Sequence, residues 1–137
     1  MYRAYKWFRI LVGVGLVANL IFALPAFLAP RLLEQMFEVG TAQPTGWLRN
    51  VGILLIILSS TYIAVILDPF RYIIVSVIIV LGRFSAGLFF VALLLAGDYP
   101  SGFRALAVTD LALSLPQAAL LILALGDGDP RAEGDAA

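Results

Sequence analysis

The chain predicts an all-α integral membrane protein, a four-helix bundle with a short interfacial helix after the first span. Two observations carry that reading. Hydrophobic residues make up 62% of the 137 and charged residues only 13%, with a mean hydropathy of +1.00, where a soluble domain carries about 25% charge. The apolar residues also gather into long runs, each near the roughly 20 residues that a helix needs to cross a hydrocarbon core about 30 Å thick. The longest, from Asp68 to Gly97, holds Arg83 near its middle, at the depth where a charge is most costly.

The N-terminal MYRAYKWFR sets Arg3, Lys6 and Arg9 among Tyr2, Tyr5 and Trp7. Cations with aromatic rings at headgroup level form an interfacial anchor and mark a cytoplasmic flank. The first span follows, about 10–28, with Asn19 in its middle and Pro25 near its far end, where membranes tolerate a kink. It is long and is not followed by a small-residue cleavage site and a soluble domain, so it reads as a retained helix. In PRLLEQMF, Pro30 suits a first helical position. Leu32, Leu33, Met36 and Phe37 are expected on one face, with Arg31, Glu34, Gln35 and Glu38 on the other. The segment is too short to span and reads as an interfacial helix. Gly40 to Gly46 is a loop by its Gly and Pro content.

Trp47, Arg49 and Asn50 open the second span, about 47–67. Its Ser59, Ser60 and Thr61 bond across helices or back to the preceding turn. Asp68 and Pro69 are expected to start the third span, about 69–97, as N-cap and first helical residue, which makes the hairpin tight. A GDYPSG turn leads to the fourth span, about 104–125, with Phe103 and Arg104 at its start and Asp110 about a turn and a half inside. Pro116 frees one carbonyl there, for Ser114 or Gln117 to satisfy. Residues 1–126 thus form one domain, and 127–137, polar and Gly-rich, a disordered tail.

Four spans put both termini on one side. Outside Arg83, five basic residues (Arg3, Lys6, Arg9, Arg71, Arg131) fall on the N-terminal side and three (Arg31, Arg49, Arg104) on the other, so both termini are expected in the cytoplasm. Trp7-Phe8-Arg9 echoes Trp47-Leu48-Arg49, and Arg31 echoes Arg71. Tryptophan and arginine are ordinary interface residues, so the echo needs no duplication.

Asn19, Arg49, Asn50, Arg83 and Asp110 form the candidate polar cluster. Arg49 and Asp110 are shallow from one face and match in depth, while Asn19 and Arg83 lie deeper, at about 1.5 Å per residue. Arg83 is expected to need a water, Asn19 or a long rotamer to reach Asp110. Two arginines against one carboxylate favour an anionic or electron-rich head group. Two readings stand: a structural tie between helices, or a ligand or proton site. Gly82, Ala86 and Gly87 read as packing surfaces, and Tyr62, Tyr72 and Tyr99 as interface residues or hydrogen-bond partners.

Cysteine and histidine are both absent, which excludes disulfides, Cys/His metal sites, the usual haem ligands and a Ser–His–Asp triad. The zero net charge gives no sign of nucleic-acid binding. No catalytic constellation is visible and no cofactor is required.

The order P-x-L-L-x-x-x-F (Pro30 to Phe37), R-N-x-G (Arg49, Asn50, Gly52), D-P-x-R (Asp68, Pro69, Arg71), G-R in mid-span (Gly82, Arg83) and Asp110 in the fourth span resembles the DoxX-like group of small four-helix bacterial membrane proteins, over roughly residues 10 to 125. The resemblance implies a bacterial cytoplasmic membrane. It also implies, loosely, a membrane-protein partner or a quinone, since some members are similar to subunits of quinol- or thiosulfate-linked oxidoreductases. The resulting expectation is an accessory subunit, alone or as a homo-oligomer, or a binder of a small amphiphile such as a lipid or quinone. The alternative is a small proton-coupled transporter or exporter.

Overall fold

The computed structural model describes residues 2–38, 40, 41, 45–97, 100 and 102–127. Among them are five helices and no strand: α1 (Tyr2–Leu28), α2 (Pro30–Phe37), α3 (Thr45–Leu67), α4 (Ile73–Ala96) and α5 (Phe103–Gly126). All but α2 are long and apolar enough to cross a membrane. Their outward faces are apolar, with Ile74 73% and Leu95 84% exposed. A surface of that kind belongs in lipid, since water would meet apolar patches far larger than soluble monomers carry. Residues 42–44, Tyr99 and the expected tail beyond Asp127 lie outside the described residues.

The helix ends follow local chemistry. Proline starts α2 after the non-helical Ala29, and Gly97, at φ 77°, closes α4 with its N–H on the last carbonyls. At the tight hairpin the expectation needs correcting, because α4 begins at Ile73 rather than Pro69. The Asp68 carboxylate does accept the Arg71 N–H, at 3.1 Å, and the Asp68 carbonyl accepts the Tyr72 N–H at 3.2 Å. These bonds close a separate turn, which Tyr72 breaks at φ −110°, ψ 41°. The Ser76 hydroxyl then braces the join, reaching the carbonyls of Pro69 at 3.2 Å and Tyr72 at 3.1 Å.

The apolar face expected of α2 is split between two neighbours. Leu33 is buried and the Phe37 ring meets Phe22 edge-on at 5.6 Å, whereas Leu32 and Met36 point outward. That arrangement suits a helix lying at an interface, with one apolar flank on the protein and the other free for lipid.

In the bundle α1 packs along α3 and α5, and α5 along α4, while α3 and α4 share much less contact despite their short connection. Around that turn the bundle is well filled: Phe8, Val12, Tyr62, Val65, Ile79, Val80 and Leu121 form the core. Tyr5 stacks on Phe70, and the Arg9 Nε–H donates to the Ile66 carbonyl. At the opposite end α1 and α3 approach closely through Gly52, where an added Cβ would lie 2.7 Å from Phe27 N and 2.9 Å from the Ala23 oxygen. Those obstacles are backbone and cannot swing aside.

Gly52→Ala is therefore expected to push α1 and α3 apart and to lower thermal stability in detergent by about 1–3 kcal/mol, the usual range for overpacking. Gly82 faces open space on α4, so Gly82→Ala should leave the melting temperature unchanged or raise it, through better helix propensity. Equal melting temperatures for the two variants would mean that Gly52 is not a contact point.

Candidate functional site

The polar residues of the bundle converge on Arg83. Its side chain is 2% exposed and its partners come from three other helices. One terminal nitrogen, Nη1, donates to the Asp110 carboxylate at 3.0 Å. The other, Nη2, lies 2.9 Å from Asn19 Oδ1, 3.0 Å from the Gly15 carbonyl and 3.1 Å from the Tyr62 hydroxyl. An arginine at mid-membrane costs about 2.5–3.5 kcal/mol on insertion scales. Hydrogen bonds to a charged group contribute about 1.5–3 kcal/mol each, so two of these contacts suffice to hold the charge there.

Each partner is placed by helical spacing. Gly15 and Asn19 stand four residues apart on α1, one above the other on the same face. Gly15 is needed bare: a Cβ there would lie 3.1 Å from Arg83 Nη2 and 3.3 Å from Gln117 Nε2. On α5, Asp110, Ser114 and Gln117 share a stripe. Gln117 donates to the Leu11 carbonyl of α1 at 2.9 Å, and Ser114 reaches the Leu111 carbonyl at 3.3 Å. Neither bonds the carbonyl that Pro116 frees, contrary to expectation. Three buried atoms have no hydrogen-bond partner among the described residues: Arg83 Nε, Gln117 Oε1 and Ser59 Oγ. The Ser60 and Thr61 hydroxyls bond back to Ile57 and Leu58, at 2.6 Å each.

The direct Arg83–Asp110 pair takes the long-rotamer route of the three expected and displaces Arg49 as the better match for Asp110. It needs no intervening water, because an added Cβ on Gly87 would lie 2.8 Å from the Leu111 side chain, which sets the register of α4 against α5. Arg83 sits one turn before Gly87 and Asp110 one residue before Leu111. The offset is about five helical rises, or some 7–8 Å, which an extended arginine spans. Arg49, expected to be the better match for Asp110, is exposed near the start of α3, as is Asn50. The inward stripe there is Leu48, Val51 and Leu55. At about 100° per residue, Arg49 and Asn50 fall between its members and turn away. Of the predicted cluster, Asn19, Arg83 and Asp110 come together; Arg49 and Asn50 do not join them. Gly15 and Gln117 were missed, although their i, i+4 and i, i+7 spacings from Asn19 and Asp110 carry the signal. Tyr62 proves to be a buried hydrogen-bond partner.

Beside this cluster lies a cavity of about 570 Å³, reaching from Arg83 and Asp110 to the connections at Gly40, Thr41 and Pro100. Phe22, Trp47, Leu55, Phe90 and Phe103 supply apolar wall, and Ala86 leaves room beside Arg83. Its size and its few convergent polar groups fit a small-molecule site. No group of three or more metal-binding side chains occurs among the described residues. No family model, curated protein or solved structure matches the chain.

Breaking a buried ion pair on one side leaves a charge uncompensated. Arg83→Leu and Asp110→Asn are each expected to lower stability in detergent, by about 3–5 kcal/mol, and the double variant to recover part of the loss. Arg49→Leu should shift stability by no more than about 0.5 kcal/mol and add independently to Asp110→Asn. Additive losses in the Arg83–Asp110 cycle would show the pair to be uncoupled.

Proposed function

We propose that this is a multi-pass protein of a bacterial cytoplasmic membrane, with both termini cytoplasmic, that binds one small amphiphile in its half-hollow bundle. Its place in the DoxX-like group belongs to the same proposal and rests on the short motifs from Pro30 to Asp110. The observation that carries the reading is the 570 Å³ cavity walled by aromatic and aliphatic side chains, with Asn19, Arg83 and Asp110 at its deep end. A ligand there would lay its chain along Phe22, Leu55 and Phe90 and bring its polar head to the buried cluster. A lipid or a quinone has that build. The chain offers no redox-active side chain of its own beyond ordinary aromatics, so its role is to hold the amphiphile, alone, as a homo-oligomer or as the accessory subunit of a membrane partner. The apolar outer faces of α3 and α4 are available to such a partner.

A second reading, proton-coupled transport or export, draws on Asp110. It is the one acidic residue within the four spans, and its side chain is 20% exposed, on the cavity side of the pair. Proton uptake into proteoliposomes that depended on Asp110 would favour this reading.

Trp47 lines the cavity while Trp7 lies near the other end of the bundle, so Trp7→Phe leaves a single reporter. In phosphatidylcholine nanodiscs a monoglyceride with a brominated decanoyl chain is expected to quench Trp47 saturably, at one molecule per chain. Ala86→Phe, which fills the cavity, should remove the saturable part. Quenching that rises linearly and equally in both proteins would mean that the cavity is not a site.

The absence of cysteine makes the orientation testable by single cysteines. Thr41→Cys should react with an impermeant maleimide in intact cells, and Lys6→Cys only after permeabilisation. The reverse pattern would invert the topology.

A further inference from the structure

Resting on the amphiphile reading, we infer that the site selects an uncharged, hydroxyl-bearing head group and rejects anionic lipids. The argument starts from charge. Among the described residues the cavity wall holds one cation, Arg83, and one anion, Asp110, paired at 3.0 Å. Arg49 and Arg104 are exposed and form no part of the wall. The excess positive charge that would draw a carboxylate or phosphate is therefore missing among the described residues. A head that brought its own charge into this apolar space would be an ion without a counter-ion, the most expensive kind of buried group.

The two partners are also unequally presented. The Arg83 side chain is 2% exposed and that of Asp110 20%. Nη2 lies within hydrogen-bond distance of three acceptors on α1 and α3, and Nε is buried. An incoming head therefore meets more of the carboxylate than of the guanidinium. One carboxylate oxygen, Oδ1, takes the Arg83 bond, which leaves Oδ2 as an acceptor.

The neighbouring groups complete the pattern. Asn19 uses its Oδ1 on Arg83, which leaves its NH₂ as a donor. Thr109 gives its hydroxyl proton to the Ala105 carbonyl at 2.7 Å, so its oxygen can only accept. Both residues line the cavity with Asp110. The complementary head has an O–H for Asp110 or Thr109 and, next to it, an oxygen that accepts from Asn19. A glyceride-like or hydroxylated ring head meets this description. A fatty acid anion does not, and a simple ester lacks the donor.

The test uses four probes with one chain length: 1-decanoylglycerol, decanoate, decylamine and methyl decanoate. Each is offered to the full chain in detergent, and retained 1:1 adducts are read by native mass spectrometry. The monoglyceride is expected at least ten-fold above each of the others in the wild-type protein, and its adduct should be lost in Ala86→Phe. In Asp110→Asn the Arg83 charge stands uncompensated, so decanoate retention should rise and overtake the monoglyceride. Decanoate, decylamine or the ester retained as well as the monoglyceride, with retention still sensitive to Ala86→Phe, would overturn the head-group assignment while leaving the amphiphile site intact. Indifference of every adduct to Ala86→Phe would instead remove the site itself. Should Asp110→Asn fail to fold, the wild-type ordering decides alone.

Discussion

The structure depends on one guanidinium. Arg83 belongs to α4 and is held by Gly15 and Asn19 of α1, Tyr62 of α3 and Asp110 of α5, so a single side chain joins all four long helices. In a bilayer the apolar effect gives helices little reason to prefer one another over lipid, and packing and polar contacts decide the arrangement. An arginine in mid-span that lost these partners would have to drag water or headgroups inward. The bundle must therefore assemble around it in one register, and the small residues follow from that demand. Gly15 clears room for the guanidinium, and Gly87 lets α5 come close enough to deliver Asp110.

The same residue divides the bundle in two. On the side of the α3–α4 turn, Phe8, Val12, Val65, Ile79 and Leu121 fill the interior. On the other side the interior is a cavity bounded by aromatic rings. Here Gly52 holds α1 against α3 and Phe90 meets Phe103 at 5.5 Å. α3 and α4 have little direct contact to close the space between them. The packed core and the cavity thus occupy opposite ends of one small domain. The packed end and the polar layer can hold the fold while the hollow end stays open for a ligand.

The neutrality of the Arg83–Asp110 pair is what the proposed head-group preference rests on. Membrane sites for anionic head groups present unpaired arginines or lysines near the interface. Here the arginine is consumed by the fold and the carboxylate shows an edge to the cavity, beside the amide of Asn19 and the hydroxyl of Thr109. A buried tie and a binding site are consequently not rival descriptions of the cluster. Arg83 does the tying, and in the proposed reading the partners it orients do the recognising.

The sequence by itself determined the architecture, because spanning helices announce themselves by length and apolarity and do not depend on their neighbours. Four spans, the interfacial α2, the Gly97 stop and the cost of Arg83 are all local properties. The association of Asn19 with Arg83 and Asp110 was legible too, since depth along a helix follows from counting residues. Azimuth and register were not. Arg49 had the right depth for Asp110, but the rotation of α3 points it away, and that rotation is fixed by the Gly52 contact with α1. Depth leaves three routes from Arg83 to Asp110, and the Gly87–Leu111 approach, which no single helix encodes, selects the extended rotamer. The cavity could not be read at all. It exists because of where four helices fail to meet, and the absence of a contact is decided only when the chain has packed.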